Sequence, residues 1–190
     1  MFEQSNHICS ETDLIAGCLE GNRKMQEMLY NRFAPKMYAV CLRYSSNADD
    51  AQDLLQDGFI KIFKNLDKYR GDGSFEGWVR RIFVNTSIEH FRKKIKINTV
   101  ADSSEIQVED KEWNAFESLA EKDIINIIQE LSPGYRQVFN MYVIEGYSHK
   151  EIGDILGISE GTSKSQLARA KSILKKVVEN KLNLNNQPHE

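Results

Sequence analysis

The 190-residue chain has little that would break a helix or staple a loop. It holds three prolines, and strict alternation of apolar and polar residues is almost absent, which excludes a β-rich fold. Its three cysteines, Cys9, Cys18 and Cys41, are odd in number, widely spaced and without a CxxC pair. That excludes a disulfide framework and points to reduced thiols. No apolar run approaches the roughly 20 residues that span a bilayer. The opening MFEQSNHICSETD has neither the basic start nor the apolar stretch of a secretory signal. A cytoplasmic chain without membrane insertion is expected.

Patterns that carry chemistry are equally scarce. There is no GxxxxGK phosphate loop. His7 and Cys9 fall in an end expected to fray, and His90 and His149 have no cysteine at metal-ligand spacing. Gly71–Gly73 begins like a calcium loop, but Trp78 stands where the closing Glu belongs. The expectation is no catalytic residue, no metal and no cofactor, and so no enzyme.

What is present is helical periodicity. Apolar residues recur at i, i+3 and i+4 over about 12–19, 23–44, 48–66, 75–96, 114–130, 133–145, 149–156 and 160–179. Ser132-Pro133 reads as a cap followed by proline at the first helical position, and Ser148 with Glu151 as a capping box. Pro35 is expected to kink or split the second helix. The net charge of −3 is unevenly spread: residues 97–131 hold nine acids and two lysines, while the segments on either side are each +2. The fold class is therefore all-α, two small helical domains joined by an acidic flexible linker. The boundaries fall at 1–96, 97–113 and 114–182, with a frayed tail at 183–190. A chain with a pI near 5.9 does not coat DNA by itself.

Three stretches stand out. In SHKEIGDILGISEGTSKSQLARAK, two amphipathic helices meet at Gly157, and the second presents Thr162, Lys164, Ser165, Arg169 and Lys171 opposite its apolar face. That is either a helix-turn-helix reading a major groove or a packed hairpin with a solvated basic side. In NADDAQDLLQDGFIKIFKNL, Asp49, Asp53 and Asp57 stack at i, i+4 and i+8 beside Gln56. Like charges so placed weaken an isolated helix, so an arginine-rich partner would account for them, as would a plain solvated face. In YRGDGSFEGWVRRIFVNTSIEHFRKK, aromatics alternate with cations behind a glycine loop, as single-stranded nucleic acid binding requires. Trp78, Ile82 and Phe83 share a face that reads as core; Arg80, Arg81, Asn85 and the loop read as the binding group.

The order of these stretches resembles bacterial RNA polymerase sigma factors of the extracytoplasmic-function type, from about Asp13 to Val178. DLLQDGF resembles the family's core-polymerase motif, which implies docking through Asp53, Gln56, Asp57 and Phe59 on clamp helices of the largest subunit. YRGDGSFEGWVRRIFVN is similar to the family's minus-ten loop and helix, with Tyr69 for the usual Phe. That match implies contacts to single-stranded DNA from Arg70, Gly71, Asp72, Ser74, Phe75, Trp78, Arg80, Arg81, Asn85 and Arg92. The helix-turn-helix resembles the family's minus-thirty-five reader. The same five residues, Thr162 to Lys171, are then the contacts. Ser163 stands where Val is common, which either weakens packing or is subfamily variation. Gly153 stands where Ala is common and should cost about 0.5–1 kcal/mol of helix stability.

The resemblance implies a sigma factor that directs promoter recognition, melting and initiation. Its partners would be core polymerase (clamp helices and the flap of the second subunit), promoter DNA and, where one exists, an anti-sigma factor. An acidic tether of −7 between two weakly basic modules can shield them, so the free chain is expected to bind promoter duplex poorly until polymerase docking separates the domains. Two other readings compete: a stand-alone regulator, for which no sensor pattern is present, and a helical RNA-binding protein.

Overall fold

The computed structural model describes residues 10–98 and 119–185. Helices account for nearly all of them: α1 (Glu11–Leu19), α2 (Arg23–Tyr44), α3 (Ala48–Asn65), α4 (Phe75–Asn98), α5 (Leu119–Gln129), α6 (Pro133–Phe139), α7 (His149–Leu156) and α8 (Glu160–Asn185). A 3₁₀ turn at Leu66–Lys68 follows α3, and a π turn at Asn140–Ile144 extends α6. Most of the acidic linker lies outside the described residues.

The helices begin where short polar side chains can cap them. Ser10 accepts from the Asp13 amide, Asn22 from Lys24 and Met25, Asn47 from Asp50 and Ser74 from Gly77. Ser148 and Glu151 form the reciprocal capping box at α7. Ends are set by backbone freedom: Gly157 turns left-handed (φ +71°) to stop α7. No comparable stop occurs early in the last helix, which runs to Asn185, beyond the expected end near residue 179.

Proline 35 does not split α2, which continues from Arg23 to Tyr44. Both flanks are held by one core: Leu29 and Phe33 before the proline, Met37, Tyr38, Val40 and Cys41 after it. Burial at that level offsets the roughly 3 kcal/mol cost of an interior proline.

The core of residues 10–98 is aromatic. Phe33 meets Phe75 edge-on at 5.5 Å, and Phe59 meets Phe83 at 5.3 Å. Gly58 lets α3 sit against α4, because a Cβ there would come within 2.1 Å of the Phe83 ring.

In the C-terminal half, α8 packs on α6 and α7 over Val138, Met141, Ile152, Leu167 and Ala170. Two of the family departures find reasons here. A Cβ on Gly153 would lie 2.8 Å from the Ile158 carbonyl, so glycine is what lets the turn into α8 close. That use offsets its expected helix cost. Ser163 is fully buried, yet its Oγ lies 2.9 Å from Nδ1 of His149, so the hydroxyl is not stranded. The buried residues of the two halves run into one another, since α2 packs against α5 and α6 as well as α1, α3 and α4.

Candidate nucleic-acid and protein interfaces

The first surface is the solvent side of α3. The helix buries Ala51, Leu54, Leu55 and Ile62, which turns Asp49, Asp53, Gln56 and Asp57 outward. Among the described residues neither Asp53 nor Asp57 has an ion-pair partner, so none of those residues compensates their mutual repulsion by pairing. Ile60 is 49% exposed one turn on from Gln56. An exposed isoleucine set among acids suits a protein partner with apolar and cationic groups. It was missed from the sequence, although in FIKIF it falls off the apolar face and so carried its own signal. Phe59 is a correction: it is 3% exposed, with Tyr30, Phe63 and Phe83 around its ring, and cannot be a contact residue. It supports the surface from beneath.

The second surface is the loop at residues 70–73 with the outer side of α4. Gly71 and Gly73 adopt left-handed angles (φ +79° and +94°), and the Tyr69 hydroxyl donates to the Gly73 carbonyl at 2.9 Å. The tyrosine that replaces phenylalanine thus ties the loop, an option phenylalanine lacks. Arg70 and Asp72 are exposed on this loop. Ser74 is also exposed, but its hydroxyl is engaged as the cap of α4. Phe75 is the second correction: it is completely buried between Phe33, Tyr69 and Trp78 and reaches no solvent. Trp78 is half-buried and stacks on Phe75 at 5.6 Å, serving the core with one face. Arg81, Asn85 and Arg92 lie exposed along α4.

Arg80 is placed differently. Its Nε and Nη2 donate to the two carboxylate oxygens of Glu145 at 3.2 and 2.9 Å, a bidentate pair that raises the guanidinium further above its ordinary range. Glu145 also lies 3.7 Å from Arg43. No feature of the sequence singled out Glu145.

The third surface is α8 as α7 presents it. Ser159 caps α8 through the Thr162 amide at 3.0 Å, and the Thr162 hydroxyl meets Ser159 at 2.8 Å. Thr162 therefore shapes the helix start. Lys164, Ser165, Arg169 and Lys171 are exposed beyond it. Lys164 pairs with Glu160 at 2.6 Å, and Arg169 donates to the Tyr135 hydroxyl at 3.2 Å, which raises its pKa. These contacts orient two cations on an open face without neutralising it, because both are solvent-exposed.

No helix among the described residues is long and apolar enough to cross a membrane.

Two family models match the chain: Sigma-70 region 2 over residues 29–96 and Sigma-70, region 4 over residues 121–174. The chain is 32% identical over 152 residues to the ECF RNA polymerase sigma factor SigE of Mycolicibacterium smegmatis, covering 77% of this chain and 59% of that relative. It is 24% identical over 181 residues to the RNA polymerase sigma-H factor of Pseudomonas aeruginosa, covering 89% of this chain and 94% of that one. Among solved structures, the sigma factor RpoE of Bartonella quintana, crystallised with the anti-sigma factor NepR, superposes with a TM-score of 0.53 at 24% identity. That match covers 80% of this chain and 96% of the other, and it bears on the fold.

Proposed function

The chain belongs to the sigma-70 family, in its extracytoplasmic-function branch, and we propose that its three exposed surfaces divide the work of that family between them. It is a transcription initiation factor that binds core RNA polymerase and directs it to promoters; it supplies recognition and strand opening, and the chemistry is the polymerase's. Asp53, Gln56 and Asp57, with Ile60 among them, form the polymerase-docking face. The 70–73 loop with Arg80, Arg81, Asn85 and Arg92 takes the minus-ten strand, with aromatic support from Trp78. Lys164, Ser165, Arg169 and Lys171 on α8 read the minus-thirty-five duplex.

The observation that carries this reading is the outward stripe of α3, where Asp53 and Asp57 have no ion-pair partner among the described residues, on the same chain as two cationic surfaces. Each cationic surface is small and the chain is acidic overall, so neither would hold DNA tightly alone. Tethering both to a polymerase makes their second contact intramolecular and raises the effective concentration. The proposed place of action is the cytoplasm, where polymerase works, and an anti-sigma factor is a proposed further partner.

The test is run-off transcription with core polymerase over a promoter library. Addition of the chain should give discrete start sites sharing two upstream elements. Asp53→Ala with Asp57→Ala should abolish both transcripts and co-purification with core polymerase, with little change in stability because both carboxylates are exposed. Undiminished transcription by that double variant would sink the docking assignment.

A further inference from the structure

One imidazole joins three elements of the C-terminal half. His149 is the first residue of α7, directly after the capping serine, and is partly exposed. Its Nδ1 lies 2.9 Å from the Ser163 hydroxyl of α8. Its ring stacks on Tyr142 of the π turn, with centroids 4.3 Å apart and planes 20° from parallel. The π turn that carries Tyr142 is itself held at both ends. At its start, Asn140 Nδ2 donates to the Arg43 carbonyl at 2.6 Å. It is one of four side chains, with Gln129, Arg136 and Gln137, that cap the last carbonyls of α2, residues 42–45. The Glu145 amide donates back to the Asn140 carbonyl of the π turn at 3.0 Å, and Gly146 then turns the chain left-handed into α7. Tyr142 is thus a fixed platform for the histidine ring.

The direction of the histidine–serine bond follows from burial. Ser163 is fully buried, and His149 is the only hydrogen-bond partner of its hydroxyl among the described residues. A hydroxyl carries one proton. Were it to accept from an Nδ1–H, that proton would be buried without an acceptor and a hydrogen bond would be lost. When it donates instead, Nδ1 accepts and both groups are satisfied. The ring proton then sits on Nε2. The serine that stands where valine is common therefore exchanges apolar packing for a directional tie.

We propose that His149 is a positioning residue for minus-thirty-five recognition: a ring protonated on Nε2, held between Tyr142 and Ser163, that fixes how far α8 is turned about its own axis. Ser163 lies between Thr162, which shapes the start of α8, and Lys164 and Ser165, which are exposed. Successive residues of a helix point about 100° apart, so tying residue 163 inward sets the directions of 164 and 165. Leu167 and Ala170 also hold α8 down, but apolar burial has no direction and tolerates small rotations. A hydrogen bond does not. Base edges are read at hydrogen-bond distance, so a small rotation at the start of α8 would carry Lys164 and Ser165 off their partners. That this face reads the minus-thirty-five duplex rests on the function proposed above; the tie between the three elements does not.

The test uses the full-length chain, free for spectroscopy and bound to core polymerase for transcription. Long-range proton–nitrogen correlation spectra of the free wild type should place the His149 ring proton on Nε2, with His149→Phe identifying the signal. A ring proton on Nδ1 would overturn the tie. For function, holoenzyme transcribes one promoter from the library and the same promoter with its minus-thirty-five element scrambled. The ratio of the two transcripts reports discrimination. H149F keeps the stack on Tyr142 but strands the buried serine hydroxyl, and should lower the ratio by about ten-fold, equivalent to about 1.4 kcal/mol. Ser163→Ala leaves only a partly exposed nitrogen without its donor and should lower it less. His149→Asn loses the ring but offers an amide oxygen near the place of Nδ1, and should recover most of the ratio. H149F combined with S163A should lose no more than H149F alone. Scrambling the minus-ten element should act equally on wild type and variants, and circular dichroism checks that each keeps its helices. An unchanged ratio in H149F, or a loss in H149N as large as in H149F, would overturn the positioning role. If wild type itself ignores the minus-thirty-five element, the function proposed for α8 falls, and the site of the ring proton still decides the tie.

Discussion

Replacing Gly58 by alanine asks whether the middle of DLLQDGF is a surface motif or a packing device. In an open helix the change would stabilise by up to about 1 kcal/mol. Here the new methyl would lie 2.1 Å from Cε1 of Phe83, 2.5 Å from Cδ1 and 2.6 Å from Cζ. Restoring an ordinary 3.4 Å contact requires the ring edge to retreat by about 1.3 Å. Phe83 is completely buried and has Phe59 edge-on at 5.3 Å, so it cannot give way alone. Overpacking of this kind costs about 1–3 kcal/mol, occasionally more. After the full helix-propensity gain, G58A should be up to about 2 kcal/mol less stable than wild type in urea unfolding. Phe83→Leu opens the space the methyl needs. The double variant should therefore be more stable than the two single losses added together, by at least about 0.5 kcal/mol. A raised urea midpoint for G58A, or strict additivity in the cycle, would refute the reasoning. Because Asp53, Gln56 and Asp57 stay outward, any loss of polymerase binding by G58A should follow the loss of stability.

Other outcomes follow from the same structure. Ser148→Ala removes one half of the capping box at α7 and should cost about 1 kcal/mol, read by thermal or urea unfolding; an unchanged midpoint would mean the box contributes nothing. Gly157→Ala forces a side chain into a left-handed turn (φ +71°) and should cost about 1–2 kcal/mol. Its minus-thirty-five binding should weaken more than its minus-ten binding, which promoter variants would reveal. Burial pushes the Cys41 thiol up to about 12 and the Tyr38 hydroxyl likewise to about 12, from ordinary values of 9.0 and 10.0. Unfolding releases these protons at lower pH than the folded chain does. Stability from these groups is then fully present below pH 9 and is lost as pH rises toward about 12. Under reducing conditions Cys41→Ala should flatten the first part of that decline in urea midpoints; an unaltered slope would count against it.

Much of the fold was legible because the relevant signals are local. Capping serines and asparagines, the glycine at the end of α7 and the apolar stripe of α3 act within a few residues of themselves; the exception is Ser132, which precedes Pro133 at the start of α6 as expected but makes no side-chain capping bond. Pro35 does not split α2 because its local penalty is opposed by burial on both flanks, which no short window contains. Phe59 and Phe75 misled for a related reason. A motif names residues that belong together, but it does not say which ones face solvent and which support them. The acidic stripe, the loop and the reading helix could be found by charge and spacing. Glu145 could not, because its partners Arg43 and Arg80 lie on other helices. Arg136, Gln137 and Asn140 carried a weak signal, as polar residues interrupting the apolar run around Val138 and Met141. That pattern marks a buried polar contact without saying what it touches.

The cap on α2 also ties the molecule to the order in which it is made. The carbonyls of residues 42–45 leave the ribosome long before their donors, which are 87 to 97 residues further along. At about 5–20 residues per second, the N-terminal helices exist for roughly 5–20 seconds with that helix end facing only water. Throughout that interval Arg80 has no Glu145 to meet. The newborn N-terminal half therefore carries the end of α2 without its side-chain cap, and every molecule passes through that stage once.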